Sequence, residues 1–212
     1  MKIGILGSGE VGQALAAGFV QHDHGVTIGT RDPSKLAAFV AQHKGVRVGS
    51  VRDATVFGDV IVLAVKGAAA GDVLRDADED NIEGKVVIDT TNPIDETPPV
   101  NGVLKYFTHA NESLMERLQR EYSGARFVKA FSCVGSSLMV HPKLAGGPPS
   151  MFICGNDADA KKTVSGILDQ FGWDIEDMGS AEAARVIEPL AVLWCIPGFL
   201  RNDWSHAFKM LR

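Results

Sequence analysis

Ile3-Gly4-Ile5-Leu6-Gly7-Ser8-Gly9-Glu10-Val11-Gly12 is the segment that most restricts the fold. A short apolar run leads into G-x-G-x-x-G, and a helical pattern follows. Each glycine has its own task in such a turn: a tight reversal at Gly7, close approach of a pyrophosphate at Gly9, and close helix–strand packing at Gly12. The freed N–H groups and the positive end of the following helix then hold phosphate oxygens. A glycine-rich turn alone says little. Set between a strand and a helix, with a second strand after it, it predicts a dinucleotide-binding βαβ unit.

The rest of the chain continues that alternation. The candidate strands are Lys2–Leu6, Gly25–Ile28, Arg47–Gly49, Asp59–Val65, Lys85–Asp89, Arg126–Ala130, Ser150–Cys154 and Asp174–Asp177. Several are apolar throughout, as strands buried on both faces of a parallel sheet are. Asp32-Pro33 opens a helix over Pro33–His43, with Asp as N-cap and Pro at the first helical position. Ser50 and Asp53 form a capping box with Asp in place of Glu. Apolar stripes at Leu114, Met115, Leu118 and Tyr122, and at Val164, Ile167, Leu168 and Phe171, mark core-facing helices. Thr91–Asn111, with three prolines and an Asn-Gly, is the one long irregular stretch. Helical character returns near Ala181 and is expected to reach the C-terminus, kinked or broken at Pro197-Gly198. This predicts a dinucleotide-binding domain over 1–180 and a C-terminal helical segment over 181–212.

Composition narrows the function. The chain has 212 residues, 45% apolar and 22% charged, with 21 basic against 26 acidic residues and a net charge of −5. That is one large core without need of disulfides, and no basic face for nucleic acid. The longest apolar stretch, Leu190–Leu200, is shorter than a bilayer span, and Met1-Lys2 leads into only a short apolar run before Gly7, so neither membrane nor secretory leader is expected. Cys133, Cys154 and Cys195 are scattered and odd in number, which suits a reducing, cytoplasmic setting.

The end of the second strand selects the dinucleotide. NAD-binding chains place Asp or Glu there for the ribose hydroxyls. Here Gly29-Thr30-Arg31 stands in that place, with Lys35 one turn on. A hydroxyl and a guanidinium suit the additional phosphate of NADP, while Asp32 is used as the helix cap.

Together Gly7–Gly12, Gly29-Thr30-Arg31, Val87-Ile88-Asp89-Thr90-Thr91-Asn92-Pro93, Val128-Lys129-Ala130-Phe131, Ser150–Asn156, Glu188-Pro189-Leu190-Ala191 and His206–Arg212 resemble the family of NADPH-dependent deazaflavin (coenzyme F-420) reductases. That family also covers the reductase domain of the STEAP metalloreductases. The resemblance spans essentially the whole chain. It implies an α/β fold: a doubly wound, mostly parallel Rossmann sheet with extra C-terminal strands and a C-terminal helical segment beside the nicotinamide. It places the phosphate loop on Gly7, Ser8, Gly9, Glu10 and Val11 and the 2′-phosphate site on Thr30, Arg31 and Lys35. The turns near the nicotinamide fall on Ala64, Val65 and Lys66, on Asn92 and Pro93, and on Ala130, Phe131 and Ser132. It further implies a deazaflavin or flavin as redox acceptor and a homodimer. Lys66 and Ser132 depart from the family, which carries a small or cyclic residue at the first position and in some members His at the second.

Hydride transfer between two ring systems needs no side-chain acid, base or nucleophile, and no catalytic dyad stands out. His22 and His24 have the look of a metal pair but lie in a polar turn, and no metal site is expected. His109, in the long loop, is read as solvated rather than as part of the acceptor pocket. Two other readings stay open: a non-catalytic NADP(H) sensor, and a dehydrogenase of small hydroxy or imino acids, which needs a proton donor at the carbonyl.

Overall fold

Strands form where the apolar runs stand. The computed structural model describes all 212 residues. In chain order the first half holds β1 (Lys2–Leu6), α1 (Glu10–Gln21), β2 (Gly25–Gly29), α2 (Ala37–Gln42), β3 (Val46–Gly49), α3 (Val51–Phe57), β4 (Val60–Leu63), α4 (Ala70–Ala77), α5 (Glu79–Ile82) and β5 (Val86–Asp89). The second half holds α6 (Leu114–Glu121), β6 (Arg126–Lys129), β7 (Ser150–Ile153), α7 (Ala158–Gln170), β8 (Asp174–Asp177), α8 (Ala184–Ile187) and α9 (Pro189–Arg201).

β1–β6 make one parallel sheet in the order β3-β2-β1-β4-β5-β6. Side chains alternate between its faces. Ile3, Ile5, Val60, Val62, Val86, Ile88 and Val128 pack under α1 and α7. Leu6, Ile61, Leu63, Val87 and Phe127 pack under α3, α4 and α6. Both faces are therefore covered, which is why these strands carry no polar alternation. The strand order reverses between β1 and β4, and ligands of open α/β sheets bind at the carboxyl ends of the strands at that point. β7 and β8 pair in parallel beside the sheet, joined to it by an antiparallel bridge in which the Lys129 N–H donates to the Cys154 carbonyl at 2.9 Å. This is the Rossmann-like fold with extra C-terminal strands and a C-terminal helix.

The helix signals resolve at atomic detail. Ser50 and Asp53 form the reciprocal capping box of α3, and Ser113 and Glu116 form that of α6. Asp32 accepts from the Ser34 N–H and hydroxyl, as a cap should, but the helix it opens is a 3-10 turn over Pro33–Leu36 that continues as α2 to Gln42. The irregular stretch after β5 folds back on itself through bridges between Ile94 and Tyr106 and between Val100 and Val103.

The C-terminus departs from expectation. α9 runs unbroken through Pro197 and stops at Asn202, which takes left-handed geometry at φ 54°. Leu193, four residues before Pro197 and the residue whose carbonyl loses its helical partner there, is exposed. Residues 202–212 form neither helix nor strand. Trp204 lies over Gly198, whose missing Cβ would stand 2.3 Å from the ring. Beyond it the Phe208 carbonyl accepts from the Ser150 N–H at 2.8 Å, which straps the tail along β7. The helical run Ala181–Arg201 also exceeds the apolar stretch read from sequence. Its 21 residues and mean hydropathy of 1.5 are long and apolar enough to cross a membrane, with 33% of that window buried against the rest of the chain.

Candidate functional site

At the switch point the β1–α1 turn, the end of β2 and the turns after β4 and β5 enclose a cleft of about 720 Å³. Three glycines shape its floor. Gly7 takes φ +124°, and a Cβ there would lie 2.1 Å from the Ala64 carbonyl oxygen, so the turn admits only glycine. A Cβ on Gly12 would meet the Gly7 carbonyl at 2.2 Å. Gly9 is different: a Cβ there would meet nothing within 4 Å and would project into open space. No side chain caps α1 at Gly9, so the first N–H groups of the helix stay available to an anion. This bare, donor-rich cradle fits a pyrophosphate.

Thr30 lines the end of the cleft beside β2. Its hydroxyl donates to the Ser8 hydroxyl at 3.0 Å and accepts from the Asp32 N–H at 3.2 Å, tying the end of β2 to the glycine turn. Asp32 is committed to Ser34, whose hydrogen bonds hold its carboxyl below the usual range, and Lys35 stands 3.8 Å away. The Arg31 guanidinium has no acidic partner. The cleft edge thus offers one free guanidinium, one ammonium and a hydroxyl, a donor set suited to a phosphate monoester and poorly suited to a bare ribose diol.

The other end of the cleft is lined by Ala64, Val65, Lys66, Gly67 and Thr90–Asn92. Twelve of the sixteen residues singled out from sequence line this one cavity; Pro93, Ala130, Phe131 and Ser132 do not. These four are buried behind its wall, where the Asn92 side-chain amide donates to the Ser132 carbonyl at 2.7 Å. Phe131 takes φ 62°, a left-handed conformation rare for an aromatic residue. Sequence reasoning passed over Gly67, Thr90 and Thr91. Gly67 did carry a signal, being a glycine directly after a strand. A Cβ there would sit 2.1 Å from the Asn92 carbonyl, so it lets the β4 and β5 turns meet. Among the histidines, His22 Nε2 lies 3.0 Å from His141 Nε2, His24 Nε2 meets Gln170, and His109 is exposed outside the cleft.

Titratable groups near the β5 and β6 ends are already engaged. The Tyr106 hydroxyl donates to the Glu188 carbonyl at 2.7 Å, and burial pushes its pKa far upward. Burial pushes the Cys133 thiol up to about 12. Lys129, fully buried, reaches Asp89 at 2.7 Å, Glu188 at 2.9 Å and the Thr91 carbonyl at 2.8 Å. Burial opposes its charge, but the two carboxylates outweigh that and raise its pKa.

A doubly wound sheet with a phosphate cradle at its switch point defines the Rossmann class of nucleotide-dependent oxidoreductases. A family model described as "NADP oxidoreductase coenzyme F420-dependent" matches residues 2–93. The chain is 31% identical over 221 residues to the F420-dependent NADP reductase of Methanothermobacter marburgensis, covering 95% of this chain and 96% of that protein. A crystal structure from Arthrobacter sp. FB24, of a protein provisionally described as an F420-dependent NADP reductase, matches with a TM-score of 0.94 and 33% identity over the whole of both chains. The metalloreductase STEAP3 of Rattus norvegicus is 30% identical over 204 residues, which cover 94% of this chain but 39% of that protein, so this chain spans about two-fifths of that relative. The chain belongs to the F420-dependent NADP reductase family and is an NADP-dependent oxidoreductase.

Proposed function

We propose that the protein passes hydride between NADPH and a deazaflavin or flavin acceptor. The observation that carries this reading is the state of the proton-bearing groups near the β5 and β6 turns: Lys129 is surrounded by three oxygens, the Tyr106 hydroxyl spends its hydrogen bond on the Glu188 carbonyl, and burial raises the pKa of the Cys133 thiol. Reduction of a carbonyl or imine needs a donor aimed at the substrate; ring-to-ring transfer does not. NADPH supplies the hydride, the acceptor ring takes it, and the accompanying proton comes from solvent. The chain's part is to hold, orient and exclude water.

In this reading Gly7, Ser8, Gly9, Glu10 and Val11 hold the pyrophosphate, and Thr30, Arg31 and Lys35 hold the 2′-phosphate. Ala64, Val65, Lys66 and Asn92 place the nicotinamide, with Pro93, Ala130, Phe131 and Ser132 supporting the turn from behind. α9, whose Trp194 abuts Gly135 in the loop after β6, walls the acceptor side. Three free thiols, two of them buried, support a reducing cytoplasmic setting.

Stopped-flow oxidation of NADPH, with a deazaflavin, FMN, FAD and ferric chelates offered in turn, tests the reading. Rapid oxidation by a deazaflavin or flavin is expected. Tight NADPH binding with no oxidation by any acceptor would overturn the enzymatic reading in favour of a sensor.

A further inference from the structure

Asp89 ends β5, Lys129 ends β6 and Glu188 stands just before α9, yet their side chains meet at one buried point. Lys129 Nζ lies 2.7 Å from Asp89 Oδ2 and 2.9 Å from Glu188 Oε1, with the three side chains 0%, 0% and 2% exposed. Nζ also donates to the Thr91 carbonyl at 2.8 Å, so three oxygens surround the ammonium. Asp89 Oδ1 accepts from the Thr91 N–H and hydroxyl, which sets the turn from below. The Glu188 carboxylate accepts from the Leu114 and Met115 N–H groups at the start of α6. One cation therefore joins the sheet edge, the turn after β5, α6 and the entry to α9.

Stability is a poor reason for such a cluster. Taking three charges out of water is costly, and apolar groups of the same volume often serve a core as well or better. What ions add is a fixed geometry between the elements they join. Here those elements are the two sides of the proposed reaction: Asn92, next to Thr91, lines the cofactor cleft, and α9 begins directly after Glu188. The Tyr106 hydroxyl, bonded to the Glu188 carbonyl, draws the long loop into the same assembly.

We propose that Lys129, held by Asp89 and Glu188, is a positioning residue that sets the spacing between the cofactor turn at Thr90–Asn92 and α9, and through it the alignment of hydride donor and acceptor. The proposal rests on the hydride-transfer reading above. Misplacement of reacting atoms by about 1 Å can cost about 100-fold in rate, so a loosened link is expected to show in chemistry before it shows in binding.

The test uses the variant Asp89→Asn/Lys129→Met/Glu188→Gln, which removes all three charges together and keeps their volumes. With folding checked by thermal melting, its NADPH Kd is expected to stay within about threefold of wild type. Its single-turnover rate, with cofactor and acceptor saturating, is expected to fall at least about tenfold. A merely structural cluster would lower Tm and NADPH affinity and leave the single-turnover rate of the bound complex unchanged; that result overturns the proposal. Should the triple variant not fold, Glu188→Gln alone is compared with wild type by hydrogen exchange. Faster exchange at the Thr90 and Thr91 amides is expected, and unchanged exchange there overturns the link. If none of the offered acceptors oxidises NADPH with the wild-type protein, the hydride-transfer reading fails, and the exchange measurement still decides whether the cluster couples turn and helix.

Discussion

Gly9 and Gly12 occupy the same six-residue motif but answer to different forces. A side chain on Gly12 collides with the Gly7 carbonyl, whereas one on Gly9 enters empty space. Gly9→Val is therefore expected to leave stability within about 0.5 kcal/mol of wild type and to abolish NADPH binding in a fluorescence titration. Gly12→Val is expected to lower Tm instead, and equal losses from both would overturn the division of roles. Arg31 has no acidic partner to release it from cofactor duty. Losing a charge-assisted contact to phosphate typically costs about 10- to 100-fold in affinity, so Arg31→Ala should weaken NADPH by that order and NADH by less than about threefold. Equal weakening of both would remove Arg31 from the 2′-phosphate site. The glycine turn and the unpaired guanidinium were legible in sequence because each depends on backbone or charge within a few residues. The burial of Pro93, Ala130, Phe131 and Ser132 behind the cleft was not, since it depends on how two distant turns pack.

Elements were legible to the degree that their causes are local. All eight strands stand where candidate strands were read, with ends shifted by a residue or two, and the Ser50–Asp53 capping box closes as Ser-x-x-Asp predicts. The non-helical tail after Asn202 was not legible, because its bonds run back to Trp194 in α9 and to Ser150 at the start of β7. Glu116 shows an element secured by a distant group. Burial alone would push its carboxyl up, but hydrogen bonds from Arg185 and Ser113 outweigh that and hold it down at about 2, against an ordinary value of 4.5. A carboxylate with a depressed folded pKa stabilises the fold above its unfolded pKa and loses that contribution as pH falls. The Tm advantage of wild type over Glu116→Gln is thus expected to be full above pH ~5 and to shrink progressively toward pH ~2. Thermal melts across that range check it, and a gap independent of pH would show that the Glu116–Arg185 pair holds α6 by packing alone.

At the scale of the whole molecule, the apolar segment Ala191–Leu200 allows three readings in sequence: pocket wall, core or subunit interface. The structure separates them by helical face. Ala191 and Trp194 turn inward, 5% and 7% exposed, while Leu193 and Leu200 are each 55% exposed and Val186 is 67% exposed. Val186, Leu193 and Leu200 recur every seven residues, so they lie along one side of the α8–α9 run, and Phe199 beside them is 45% exposed. Water does not tolerate such a stripe cheaply, and contiguous exposed apolar surface commonly marks an interaction face. We propose that a second copy of the chain covers it, apolar stripe against apolar stripe about a two-fold axis, as a self-complementary face permits. Sedimentation velocity is expected to give a dimer for wild type and a monomer for Leu193→Glu/Leu200→Glu, with unchanged circular dichroism, because both side chains are more than half exposed. If the dimer forms through this face, the α9 segment is braced from outside as well as from Glu188. The monomeric variant should then also transfer hydride more slowly while binding NADPH normally. A wild-type monomer at micromolar concentration, or a dimer untouched by both charges, would place the subunit contact elsewhere and leave the stripe free for a different partner.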